Sequence, residues 1–271
     1  MVFGRFFLAS ALASLTLSSA AQGQSQISSA SFMEDNDLWK EDNLEFAPNR
    51  MTQELFNQII DIAKEAYKPF ADAKGERLTV NAKWEDATVN ANARRMFWNV
   101  SINMYGGLAR RAEVTPDAFA LVLCHELGHA YGGEPYVQAL LSLSSEGQSD
   151  YYGMQACLQK VIDKLEVTAA DVMVTPYTEA KCGEKHGAPN TFAYNSCLRK
   201  MSAGQSLGNL LAVMKKEPQP NYQTPDSTVV DKTLTSYPEK VQCRLDTYHN
   251  GAMDMARPAC WFSNFERNPP T

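Results

Sequence analysis

The sequence predicts an α+β fold: a small twisted sheet beside one buried helix, then a mainly helical part braced by disulfides. Three observations lead there. Alternating apolar positions at 77–84 and 96–104 follow a helical repeat over 51–70. A capped, apolar helix comes next, and it contains His125-Glu-Leu-Gly-His129. All six cysteines lie beyond residue 120, where Gly, Pro and Asn are common.

The first 23 residues read as a signal peptide. Arg5 begins it, an apolar run covers 6–17, and the small residues Ser18, Ser19, Ala20 and Ala21 suit a cleavage site. About a dozen apolar residues fall short of the roughly 30 Å hydrocarbon core. The expectation is a secreted or periplasmic protein with no transmembrane anchoring once the leader is removed. Residues 24–50 are rich in Ser, Asn and Asp, which predicts a flexible lead-in or a short propeptide. With 271 residues, 44% of them hydrophobic, the remaining 51–271 can bury the core of a single domain. A net charge of −6 without basic runs argues against nucleic acid as a partner.

Each later element has its own signal. Met51, Leu55, Ile59, Ile60 and Ile62 mark one face of a helix over 51–70. Leu78, Val80, Ala82 and Trp84 alternate as a strand, and so do Met96, Trp98, Val100, Ile102 and Met104. Thr115 and Pro116 suit the N-cap and first turn of the next helix, and Gly132-Gly133 stops it. Ser144 or Ser145 can cap a further helix that runs through Met154 and Leu158 to about Leu165.

Six cysteines in an exported chain predict disulfides, with 15 possible pairings. Cys243 with Cys260 is the favoured pair, and Cys157, Cys182 and Cys197 compete for one another. Cys124 sits in an apolar run and is expected to be a buried free thiol. No CxxC pair is present to hold a metal.

The chemistry concentrates in 124–150. His125 and His129 stand four apart, so both imidazoles leave one face of the helix and can ligate zinc. Glu126 lies at the edge of that face, within reach of a water to be activated. A catalytic zinc takes three protein ligands and keeps one position open. Glu134, Glu146, Asp150 and Glu166 are the acids available for the third place. Glu134 follows the Gly-Gly break, where the chain turns away, and Glu166 lies far along the second helix.

The segment resembles gluzincin peptidases of the HtpX and CAAX-prenyl-protease type. "NANARR", "MFWNVSINMYGGL", "HELGH" and "EGQSD" occur in that family's order over about residues 50–165. The metzincin continuation is excluded because Pro135 stands where its third histidine would be. The resemblance implies a zincin-like fold with one zinc ion held by His125, His129 and Glu146. It implies that Asp150 steadies a ligand histidine, and that the alternating strand, or the stretch before it, pairs with an extended peptide or protein substrate. The family's late His-Pro and following Arg correspond to Tyr237-Pro238 and Arg244, with tyrosine in place of histidine. Tyr237 and Arg244 are thus the candidate oxyanion donors, ahead of His249. The implied activity is that of an exported zinc-dependent endopeptidase with Glu126 as general base. A non-catalytic, zinc-stabilised binding or envelope-assembly protein is the alternative.

Overall fold

The computed structural model describes Met1, residues 29–40 and residues 51–263. Apart from Met1, the leader at 1–23 lies outside the described residues, as do 24–28 and 41–50. The architecture is mixed helix and sheet, as the sequence predicts. β1 (Ser29–Ser31) precedes α1 (Gln53–Ala73), followed by β2 (Arg77–Lys83), β3 (Ala91–Met96) and β4 (Asn99–Tyr105). The short α2 (Gly106–Ala109) leads into α3 (Pro116–Tyr131). A hairpin of β5 (Tyr136–Gln138) and β6 (Leu143–Ser144) delivers the chain to α4 (Glu146–Tyr152). A π turn at Gly153–Cys157 separates α4 from α5 (Leu158–Ile162). α6 (Pro176–His186), α7 (Phe192–Lys215) and α8 (Val241–Ala252) follow.

The strand order is β1-β3-β4-β2, with β2 and β4 parallel and the other pairs antiparallel. Val100, Ile102 and Met104 turn one face of β4 into the core, as the alternation predicts. The alternating stretch 96–104 is not one strand, however. Met96 pairs with Asn99, which leaves Phe97 and Trp98 as a two-residue turn with Phe97 in the left-handed region at φ 53°. The turn exchanges the parity that faces the core: Ala91, Ala93 and Arg95 are buried before it and Val100, Ile102 and Met104 after it. Met96 and Trp98 thus continue the apolar alternation of the sequence without sharing the buried face. Phe97 and Trp98 are accordingly exposed, at 78% and 72%.

α1 presents Phe56, Ile59, Ile60, Ala63 and Tyr67 to the core from one face, and the Thr52 hydroxyl accepts from Leu55 N–H at its start. α3 is different. Every residue from Pro116 to Ala130 is buried, which is why it is apolar on all sides except at its motif and at Asp117 in the first turn. Thr115 Oγ1 accepts from Ala118 N–H, as its sequence position predicts. Asp117 in the first turn is paired with Arg199 of α7 through contacts of 2.6 and 2.7 Å. At the other end Arg95 of β3 donates to the Ala130 carbonyl at 2.8 Å and pairs with Glu76 at 3.1 Å. A buried arginine therefore satisfies a carbonyl of the last helical turn and ties it to the sheet.

Three disulfides link Cys124 with Cys157, Cys182 with Cys197, and Cys243 with Cys260. The last pair matches the sequence expectation. Cys124 does not: it is bonded, not a free thiol. The expected continuous second helix is interrupted by the π turn, and that turn sets Cys157 5.5 Å from Cys124, Cα to Cα. The bond closes a covalent ring whose 33-residue separation contains both His-Glu-x-x-His and Glu-x-x-x-Asp.

Opening that ring tests its contribution. Chain-entropy arguments put a loop of this length at about 4 kcal/mol. Replacing Cys124 and Cys157 together by Ala is expected to lower Tm by roughly 10 °C in a calorimetric scan. An unchanged Tm would show that packing alone holds the two helices together.

Candidate metal centre

The site forms where α3 and α4 come unusually close. A Cβ on Gly128 would stand 2.9 Å from Ser149 Cα, so only glycine permits the contact. The β5–β6 hairpin then turns the chain back, with Ser145 N–H donating to the Pro135 carbonyl. Ser145 Oγ accepts from Gln148 N–H and starts α4 with Glu146 in its first turn. Glu146 thereby faces the two histidines of α3.

The distances define one point of convergence. His125 Nε2 and His129 Nε2 are 3.1 Å apart. Glu146 Oε2 lies 3.3 Å from His125 Nε2, and its Oε1 lies 3.6 Å from His129 Nε2. Two donors each about 2.0–2.1 Å from a tetrahedral zinc stand about 3.3 Å from each other. The spacings are of that size, and one ligand atom from each of the three residues lies within 4.8 Å of the others.

The outward nitrogens fix the tautomers. His125 Nδ1 meets Asp150 Oδ1 at 2.7 Å, and His129 Nδ1 donates to the Ser144 carbonyl at 2.8 Å. With both protons held there, both Nε2 lone pairs face inward. Ser149 Oγ also lies 3.0 Å from His129 Nδ1.

Asp150 has further partners. Arg244 of α8 reaches it with Nε at 2.7 Å and Nη2 at 2.8 Å, and the Tyr248 hydroxyl donates to it at 2.9 Å. Tyr248 was not singled out by sequence, although it lies four residues after Arg244 and therefore on the same face of α8. Arg244 is thus committed to Asp150, and its remaining Nη1 donates to the Phe32 carbonyl at 2.7 Å. The Tyr237 hydroxyl donates to the Ser31 carbonyl and borders the same cleft as Glu146. His249 stands apart, beside Tyr177 and Tyr222.

Burial sets the electrostatics. His125, Glu126, His129 and Asp150 are fully buried. Both carboxylate oxygens of Glu126 lack a hydrogen-bond partner, and so does Glu146 Oε2. Loss of solvent pushes the Glu126 carboxyl up to about 8. Burial also lowers His129, to about 4. For His125 burial works downward, but the carboxylates of Asp150 and Glu146 outweigh it and raise the imidazole to about 9. Asp150 is held below its ordinary value because Arg244 and His125 outweigh its desolvation. The carboxylates of Glu126, Glu146 and Asp150 thus gather around the two histidines, with Arg244 paired to Asp150.

The competing acids drop out. Glu134 and Glu166 are exposed, and Asp150 serves the outer nitrogen of His125. A second cluster, Asp226 with Cys243 and Cys260, has both sulfurs in a disulfide. Among the described residues, then, only His125, His129 and Glu146 bring free ligand atoms together in this way.

Residues 53–181 match the model described as Peptidase family M48. No curated protein and no solved structure matches the chain.

The Asp150 contacts generate a prediction. Asp150→Asn would leave the Arg244 guanidinium buried without its counter-charge, at a cost of about 3–5 kcal/mol. It would also weaken the orientation of His125, and zinc affinity is expected to fall about 10–100-fold. Denaturant unfolding and competition with a chromogenic chelator measure the two effects. Wild-type affinity in this variant would mean that His125 needs no such support.

Proposed function

From its membership, through residues 53–181, of peptidase family M48, the HtpX-like zinc metallopeptidases, we infer that this chain is an exported zinc-dependent endopeptidase. His125, His129 and Glu146 are the residues that would hold the ion, and Asp150 keeps His125 in the ligating tautomer. Bound zinc supplies Lewis acidity, which makes a water acidic near neutral pH and polarises a peptide carbonyl.

The chain's own residues do the rest. Glu126 takes a proton from the attacking water as the new C–O bond forms and the carbonyl oxygen becomes an oxyanion. Glu126 then gives that proton to the amine nitrogen as the C–N bond breaks. Its unpaired oxygens leave it free for this, and burial places its basicity near neutrality. Tyr237 remains protonated, because burial and the neighbouring carboxylate of Glu146 raise its pKa. It is the donor for the developing oxyanion. Arg244 acts through Asp150 and is a positioning residue.

One observation carries this reading over a purely structural zinc site. The cluster offers three ligands and an adjacent base without a hydrogen-bond partner, whereas a structural site closes its fourth position with protein. Three disulfides and the absence, among the described residues, of any helix long and apolar enough to cross a membrane accord with export.

The test separates metal binding from turnover. Glu126→Gln is expected to retain zinc and to lower hydrolysis of a peptide library by about 10²–10⁴. Glu146→Ala should lose zinc, measured by atomic absorption, and a chelator should abolish cleavage by the wild type. Wild-type turnover in Glu126→Gln would remove the base from the mechanism. Zinc retention with no cleavage of any peptide by the wild type would favour a binding or assembly protein on the same fold.

A further inference from the structure

The buried state of the centre raises a question that the ligand set does not answer. A hydrolase must admit water and substrate, yet His125, Glu126 and His129 are fully buried and Glu146 is only 5% exposed. The cover is the chain's own N-terminal segment. Phe32 and Met33 are 0% and 1% exposed, and the Phe32 ring stands edge-on to His125 with centroids 5.4 Å apart.

This segment is held as a bound peptide would be. β1 adds antiparallel to β3, with Ser29, Ala30 and Ser31 opposite Arg94, Ala93 and Asn92. Phe32 N–H then donates to the Ala91 carbonyl at 3.1 Å. Asn90 grips both main-chain groups of Met33: its Oδ1 accepts from the N–H at 3.2 Å and its Nδ2 donates to the carbonyl at 2.9 Å. Tyr237 donates to the Ser31 carbonyl and Arg244 to that of Phe32. These contacts recognise backbone and depend little on the side chains of the segment.

We propose that residues 29–33 occupy the substrate's place on β3, so that the full chain is self-inhibited until this segment is displaced. The idea rests on the peptidase reading, in which Tyr237 serves the oxyanion. The Ser31 carbonyl then stands where the scissile carbonyl goes, and the Phe32 side chain fills the pocket for the residue after the cut. The corresponding substrate is an extended peptide with a small residue followed by a large apolar one.

The experiment uses the zinc-loaded full chain. Phe32→Gly empties the pocket. Ala30→Pro removes an N–H that the antiparallel alternation aims at the Ala93 carbonyl, while keeping Phe32. Two readouts are taken: cleavage of a quenched peptide, and anisotropy of a labelled Ala-Ser-Phe-Met-containing peptide. At least one variant that retains zinc is expected to gain tenfold or more in both. A synthetic peptide spanning 27–36 should compete, and its Phe→Asp form should bind at least tenfold more weakly. Tighter peptide binding without any cleavage would support the occupancy and overturn the peptidase reading. If both variants keep zinc, lose Tm and gain nothing in either readout, β1 is a permanent strand of the fold and the proposal fails.

Discussion

Asp150 holds a negative charge where no solvent reaches it, and four hydrogen bonds converge on its two oxygens. They come from His125 Nδ1, from Arg244 Nε and Nη2, and from the Tyr248 hydroxyl. A buried carboxylate is tolerated only when so fully paired. The pairing in turn fixes everything around it. It sets the tautomer of His125, locks α8 onto α4, and leaves one arm of Arg244 to reach the main chain at Phe32. The metal ligands and the segment that covers them therefore share a single electrostatic anchor.

Around that anchor the structure is closed in two ways. The Cys124–Cys157 bond encloses every residue of the metal motif in one covalent ring. At the ends of α3, Asp117 with Arg199 and Arg95 with the Ala130 carbonyl fasten the helix to α7 and to the sheet. A helix buried on all sides cannot shift to accommodate a ligand, so the two Nε2 atoms are preorganised for an ion. The side facing β1 is closed by a short strand, its backbone contacts and the buried side chains of Phe32 and Met33.

Much of this was legible in the sequence, for physical reasons that differ from residue to residue. Thr115, Pro116 and the four-residue spacing of His125 and His129 act locally, so they placed α3 and its chemical face directly. Glu146 and Asp150 needed the resemblance as well, because their spacing alone did not separate them from Glu134 and Glu166. What stayed hidden depends on distant contacts. The turn at Phe97-Trp98 reverses which parity faces the core, but the exposed Met96 and Trp98 are apolar and extend the pattern of Val100, Ile102 and Met104, so the hairpin read as one strand. The π turn that brings Cys157 to Cys124 leaves no mark in a pattern of apolar spacing. Arg244 was found but for another role, since nothing in its neighbourhood announces that Asp150 lies beneath it. The Ser-rich stretch at 24–50 gave no sign that residues 29–33 pack against the motif histidine, because that contact spans more than 90 positions.

The account centres on an ion held by His125, His129 and Glu146 with one position open. Anomalous diffraction recorded at the zinc absorption edge, on crystals of the protein loaded with one equivalent of zinc, examines this directly. The expected result is a single peak about 2.0–2.2 Å from both Nε2 atoms and from a Glu146 oxygen, with no fourth protein ligand. A peak bound instead by Glu134 or Asp150, a fourth protein ligand, or no peak between the two helices would contradict it.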